Sequence, residues 1–178
     1  MILQHGTGVC LRVGAKVRKA LLALPAVALL AACGGDGGEV DMSSLTPEQQ
    51  EVKQRIDARQ ANFQDMGAAF KAIGDELKAG RPASTTVKFS VDSVARYAPQ
   101  IRNWFPQGTG PDSGLKTDTK ASVWDNPEEF EHVLSEFEAA VIGLADANAN
   151  NDAEAIAAQF QIVGGGCKSC HDKFREED

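Results

Sequence analysis

Two thiols and an imidazole stand close together near the C-terminus, in the run Cys167-Lys168-Ser169-Cys170-His171. On an α-helix each residue turns by about 100°. Cys170 then falls about 60° to one side of Cys167, and His171 about 40° to the other. All three share one arc, on the apolar stripe that faces the core. C-x-x-C-H is the attachment signature of c-type haem. The two sulfurs would fix the edge of the porphyrin through thioether bonds, and His171 would reach the iron as proximal ligand.

Other chemistry is open to the same residues. A disulfide between positions i and i+3 of a helix is strained and has no use for His171. A zinc site needs more ligands, and beyond the leader the chain offers only His132 as a further histidine. A periplasmic thiol–disulfide protein using Cys167 and Cys170 is the alternative from another functional class. Its reactive pair belongs at a strand–helix junction in a βαβ setting, which the pattern lacks.

Three further residues could take part. Arg59 interrupts an apolar stripe; it either needs a buried anion or snorkels from the helix edge. Met66, on the same stripe, carries a thioether able to ligate iron. His132, beside Glu131, reads as a solvated surface histidine. Gly164-Gly165-Gly166 precedes the motif, at a cost of about 1 kcal/mol per glycine relative to alanine in a helix. A flat macrocycle close to the backbone would compensate; otherwise the helix breaks there.

The elements that position these residues are helical. The first opens at Thr46-Pro47-Glu48-Gln49, a capping box with proline at the first helical position. Its stripe runs Val52, Ile56, Arg59, Phe63, Met66, Phe70, Ile73, Leu77 in steps of three and four, and it stops at Gly80-Arg81-Pro82. The second stripe, Val87 to Phe105, contains Pro99, where a kink or break is expected. A turn-rich connection follows from Pro106 to Asp125. The third helix opens at Asn126-Pro127-Glu128-Glu129, with Phe130, Leu134, Phe137, Val141 and Leu144 inward. The fourth opens at Asn151-Asp152-Ala153-Glu154, with Ile156, Phe160, Val163, Cys167, Cys170 and Phe174 inward. This is the pattern of an all-α antiparallel four-helix bundle.

Composition agrees. The chain of 178 residues suffices for one ordinary domain, has 6% aromatic residues and a single Tyr, and carries a formal charge of −7. Residues 1–32 hold four basic side chains and no acid, so the remainder sets 14 basic against 25 acidic groups. Such a surface excludes nucleic acid, whose phosphates demand a basic footprint, and suits basic partners.

Residues 1–32 read as a secretory signal: Arg12, Lys16, Arg18 and Lys19, then an apolar run from Ala20 to Ala32 too short to span a bilayer. It ends Leu30-Ala31-Ala32-Cys33, which looks like a bacterial lipobox. Cys33 is then the expected lipidation site and mature N-terminus, followed by a Gly-rich tether over 33–45 and the bundle domain over 46–178. Gly34 after the cysteine resembles outer-membrane sorting, so the expected location is the periplasm, with an anchor to the periplasmic face of the outer membrane through Cys33.

Over residues 46–178 the chain resembles the cytochrome c prime family, the class II c-type cytochromes. The resemblance rests on CKSCHDKFR at the C-terminus, RQANFQDMGAAFKAIGDEL in the first helix, and FPQGT followed by a tryptophan before the third. It implies a four-helix bundle holding one covalent haem c in its core, commonly as a homodimer through the outer faces of the first two helices. It places Arg59 and Gln60 at the haem propionates, Thr109 in a loop that approaches the haem, Phe63 over the distal iron face and Arg175 beside the proximal pocket. Met66 becomes a packing residue one turn from Phe63, and Trp124 and Phe174 are haem-packing aromatics or simply core. Relatives with Met at the Phe63 position are six-coordinate electron carriers. Phe cannot ligate, so the resemblance implies a five-coordinate iron in a crowded apolar pocket that admits small neutral gases such as NO and CO. Single-electron exchange with redox protein partners is the companion role. No nucleophile–base pair or paired carboxylates for turnover appear, so the expected protein is not an enzyme.

Overall fold

The structure, a computed structural model, describes residues 41–177. The expected secretory leader, the expected lipidation site Cys33 and most of the expected tether lie outside them. Among the described residues the α-helical elements are four long helices and one single turn: α1 (Pro47–Lys78), α2 (Thr85–Tyr97), α3 (Ser122–Asp125), α4 (Pro127–Ala149) and α5 (Ala153–Phe174). Residues Met42–Ser44, within the expected tether, form a 3-10 turn. Gln50 ties that turn to α1 by donating to the Met42 and Leu45 carbonyls.

The helix ends follow local chemistry. Thr46 Oγ1 accepts from the Gln49 N–H, and Gln49 Oε1 accepts from the Thr46 N–H, so the capping box is complete. Gly80, at φ +70°, ends α1: its N–H donates to Leu77 O and that of Arg81 to Glu76 O. Ser84 and Asp152 cap α2 and α5. Asn126 departs from expectation, since its side chain makes no capping bond to α4. Pro99 breaks the second stripe as its missing N–H dictates: α2 ends at Tyr97 and the chain tightens into a 3-10 segment, Ala98–Trp104.

The apolar faces of α1, α2, α4 and α5 meet in one core. Ile73, Val87, Val91, Leu134, Val141, Leu144, Ile156 and Val163 are buried there, each contributing about 1.5–3 kcal/mol by leaving water. Helices α4 and α5 pack along their length, as do α1 and α2. Between α1 and α5 contact is sparse, and it centres on Phe70 and Phe160, whose rings stack at 4.3 Å. A Cβ at Gly74 would meet Phe160 and one at Gly164 would meet Phe70. One step back along α1 thus matches one step forward along α5, the register of an antiparallel pair.

Helix α5 runs unbroken through Gly164-Gly165-Gly166, which removes the reading of a break there. For Gly166 the reason lies in α4: a Cβ would sit 3.2 Å from Phe137 Cδ2. A macrocycle is not needed to explain that glycine. Gly165 is exposed with nothing within 4 Å of such a Cβ. Gly165→Ala should therefore raise stability by about 1 kcal/mol through helix propensity alone. Thermal unfolding reads this, and a lowered midpoint would show that the position is crowded.

Candidate functional site

Cys167 and Cys170 are half-buried and pack against the core, and neither is disulfide-bonded. Burial pushes the Cys167 thiol up. Burial, with Cys167 beside it, pushes Cys170 up to about 11. Both stay protonated at neutral pH. A thiol–disulfide catalyst needs the opposite, a thiol whose pKa is lowered so that a thiolate attacks. The zinc reading lacks ligands, because among the described residues no three His, Cys, Asp or Glu side chains gather into a metal-binding group.

His171 sits one position on. The sequence expectation that all three groups face the core needs correction here: His171 is exposed, though partial burial and the nearby Arg175 lower its pKa. The imidazole therefore favours its neutral form, the form that ligates metals. From the Phe70–Gly164 level, the antiparallel register brings Phe63 of α1 level with His171 of α5. Phe63 is half-buried. Its ring meets Trp104 edge-on at 4.9 Å and Phe105 at 6.1 Å. Met66 lies one turn further along, buried in the core.

Arg59 is 3% exposed. Its Nη1 donates to Trp104 O at 3.3 Å and Thr109 Oγ1 at 3.0 Å; its Nη2 donates to Thr109 O at 3.0 Å and Thr117 Oγ1 at 2.9 Å. The guanidinium carbon lies 4.8 Å from the centre of the Phe105 ring. Every partner is neutral, and among the described residues no carboxylate pairs with it. Snorkelling is ruled out by this burial. Desolvation pulls the pKa of Arg59 down, but a guanidinium stays charged at neutral pH. A buried, unpaired cation at this point suits an anionic group arriving from outside the polypeptide.

Thr109 is buried and belongs to the same cluster as Arg59. It is locked by its own donation to Pro106 O. The next residue, Gly110, lies under Trp124, where a Cβ would come within 2.5 Å of the indole. The indole N–H donates to Phe105 O at 3.1 Å. Phe174 is buried against Phe130. Gln60, by contrast, is exposed beside Arg59. Arg175 lies just past α5 in extended backbone, paired across an isolated bridge with Thr119. His132 is exposed, 3.6 Å from Glu136, apart from the cluster. Sequence reasoning missed Thr117, Trp104 and Phe105. Trp104 and Thr117 act on Arg59 through a backbone carbonyl and a loop hydroxyl, which no periodicity marks.

The family model described as cytochrome C′ matches residues 54–175. The chain is 31% identical over 159 residues to the cytochrome c′ of Allochromatium vinosum, covering 88% of this chain and 98% of that one. It is 32% identical over 109 residues to the cytochrome c′ of Rhodospirillum rubrum, covering 61% and 72% respectively. Among solved structures, a cytochrome c′ with an unusual ligand-controlled dimer dissociation superimposes with a TM-score of 0.65 at 30% identity, covering 71% of this chain and 97% of the other.

Proposed function

Because this chain belongs to the cytochrome c′ family, four-helix bundle proteins with covalently bound haem c, we propose that it binds small neutral gases such as NO and CO and exchanges single electrons at a haem held between α1 and α5. The observation that carries the reading is the buried Arg59 guanidinium with no carboxylate partner, which the antiparallel register of α1 and α5 sets about one turn beyond the level of His171 in the Cys167-x-x-Cys170-His171 motif. When bound, the haem supplies an iron that changes oxidation state and takes a gas at its open coordination position. The polypeptide supplies the rest. Cys167 and Cys170 tether the macrocycle. His171 ligates from the α5 side, with Arg175 beside it. Arg59, with Thr109 behind it and Gln60 at the surface, receives the propionates. Phe63, backed by Trp104 and Phe105, is the apolar residue on the distal side. It offers no hydrogen bond, so the pocket selects small uncharged ligands.

We further propose export to the periplasm, lipidation at Cys33 with an outer-membrane anchor, redox protein partners, and a homodimer through the outer faces of α1 and α2. Phe89, 69% exposed on α2, supports the last of these. The relative with ligand-controlled dimer dissociation is consistent with it.

A pyridine haemochrome spectrum of protein exported from cells with haem-attachment machinery tests the core of the reading. The expected result is one c-type haem per chain in a protein that sediments as a dimer, with a ferric high-spin spectrum. A colourless protein with both thiols free would end it.

A further inference from the structure

The loop between α2 and α4 touches both halves of this site. Thr117 Oγ1 accepts from Arg59 Nη2 at 2.9 Å and from the backbone N–H of Thr119 at 3.3 Å. From there the chain runs antiparallel to the residues that leave α5. Glu176 N–H donates to Asp118 O at 2.8 Å, Lys120 N–H donates to Phe174 O at 2.9 Å, and Thr119 faces Arg175 between them. Two side chains add to the pairing: Lys120 Nζ donates to Asp172 O and Ser122 Oγ to Lys173 O, each at 3.1 Å.

The last four carbonyls of a helix have no partner inside it. In α5 these are the carbonyls of His171, Asp172, Lys173 and Phe174. The first accepts from the Arg175 N–H at 3.0 Å, and the loop takes the other three. The turn held in this way is the one that carries His171. At its other end the same loop is hooked to Arg59.

We propose that residues 117–122 form a strap that fixes the His171 end of α5 relative to Arg59, with Thr117 as the positioning residue that joins them. The consequence for the iron rests on the haem reading above; the strap itself does not. Arg59 keeps its bonds to Trp104 and Thr109 without Thr117, so what Thr117 adds is the tie between the two halves. A capping loop with no positioning role would influence stability alone. A strap that sets the aim of His171 would also alter the bond from its imidazole to the iron.

The test compares the holoprotein with Thr117→Val, which keeps the shape and loses both bonds; Thr117→Ser, which restores an acceptor; and Ser84→Ala, which removes the α2 cap at the far end of the bundle. In Thr117→Val, amide hydrogen exchange in the last turn of α5 should quicken about fivefold to tenfold, as the loss of a hydrogen bond or two implies. The iron–histidine stretching band of the ferrous protein should shift or split. Thr117→Ser should recover both, and Ser84→Ala, of similar cost to stability, should leave the band in place. Unchanged exchange in Thr117→Val, or a band that moves equally in Ser84→Ala, overturns the strap. Should Thr117→Val fail to fold, Ser122→Ala removes only the bond to Lys173 O and carries the same expectations. If the parent protein contains no covalent haem the functional reading fails, while the exchange comparison still decides for or against the strap.

Discussion

Replacing Arg59 with leucine should lower the unfolding free energy by about 3–5 kcal/mol, with the loss read by denaturant titration. Two opposing terms set the figure. A buried guanidinium with no carboxylate partner is costly to desolvate, and leucine removes that cost. It also removes all four donated bonds, leaving the Trp104 and Thr109 carbonyls without this donor, while the Thr109 and Thr117 hydroxyls keep one bond each. Leaving buried acceptors unsatisfied costs about 1–3 kcal/mol each. The contact with the Phe105 ring, about 0.5–2 kcal/mol, goes as well. Because the guanidinium fork satisfies several acceptors at once, the second set of terms wins. Arg59→Lys keeps the charge but not the planar fork, so its loss should fall between leucine and the parent. A change below about 1 kcal/mol for leucine would mean that the loop over 104–117 is held by other contacts. The haem-loaded leucine variant should lose more, because the proposed partner of the propionates goes with it.

Much of this site is legible in the amino-acid sequence, for a physical reason. Covalent attachment at two cysteines with an adjacent histidine ligand forces a fixed local spacing, and spacing is what a sequence displays. The caps at Thr46 and Asp152 and the break at Pro99 are equally local. Arg59 is legible only as a pair of options, since helical periodicity reports which face a residue occupies and not what waits there. Its partners lie 45 to 58 residues away, at the end of the 3-10 segment and in the loop beyond it, and two of them are backbone carbonyls. The strap over 117–122 is illegible for the same reason: backbone-to-backbone pairing with the end of α5 leaves no mark on side-chain type. Gly166 misleads in the other direction. A glycine beside a cofactor motif invites a cofactor explanation, yet its neighbour is Phe137 of α4. Asn126 has the right residue type for a cap, but its backbone, at φ −126° and ψ 62°, does not aim the side chain at the helix.

Replacing Phe63 with methionine should convert the ferric iron from five-coordinate and high-spin to six-coordinate and low-spin. The change is read in the visible spectrum and by electron paramagnetic resonance. The antiparallel register fixed by Phe70 against Gly164 sets Phe63 level with His171 on the facing helix, so in the proposed site the two flank one point, the place of the iron. In the parent chain, that point meets a phenyl ring held edge-on to Trp104 and backed by Phe105, with no lone pair to offer. Methionine is near in volume, has three rotatable bonds, and brings a thioether able to ligate iron. Phe63→Ala separates crowding from ligation. It should keep the high-spin spectrum and bind CO faster. It should also cost about 3 kcal/mol of stability, because the ring's contacts with Trp104 and Phe105 are lost. Met66 is the internal control: it already carries a thioether on the same stripe, but it is buried in the core one turn away. Met66→Leu should leave the spectrum as it was. A low-spin parent that turns high-spin in Met66→Leu would transfer the distal position from Phe63 to Met66. The gas-binding proposal would then give way to a closed, electron-carrying iron.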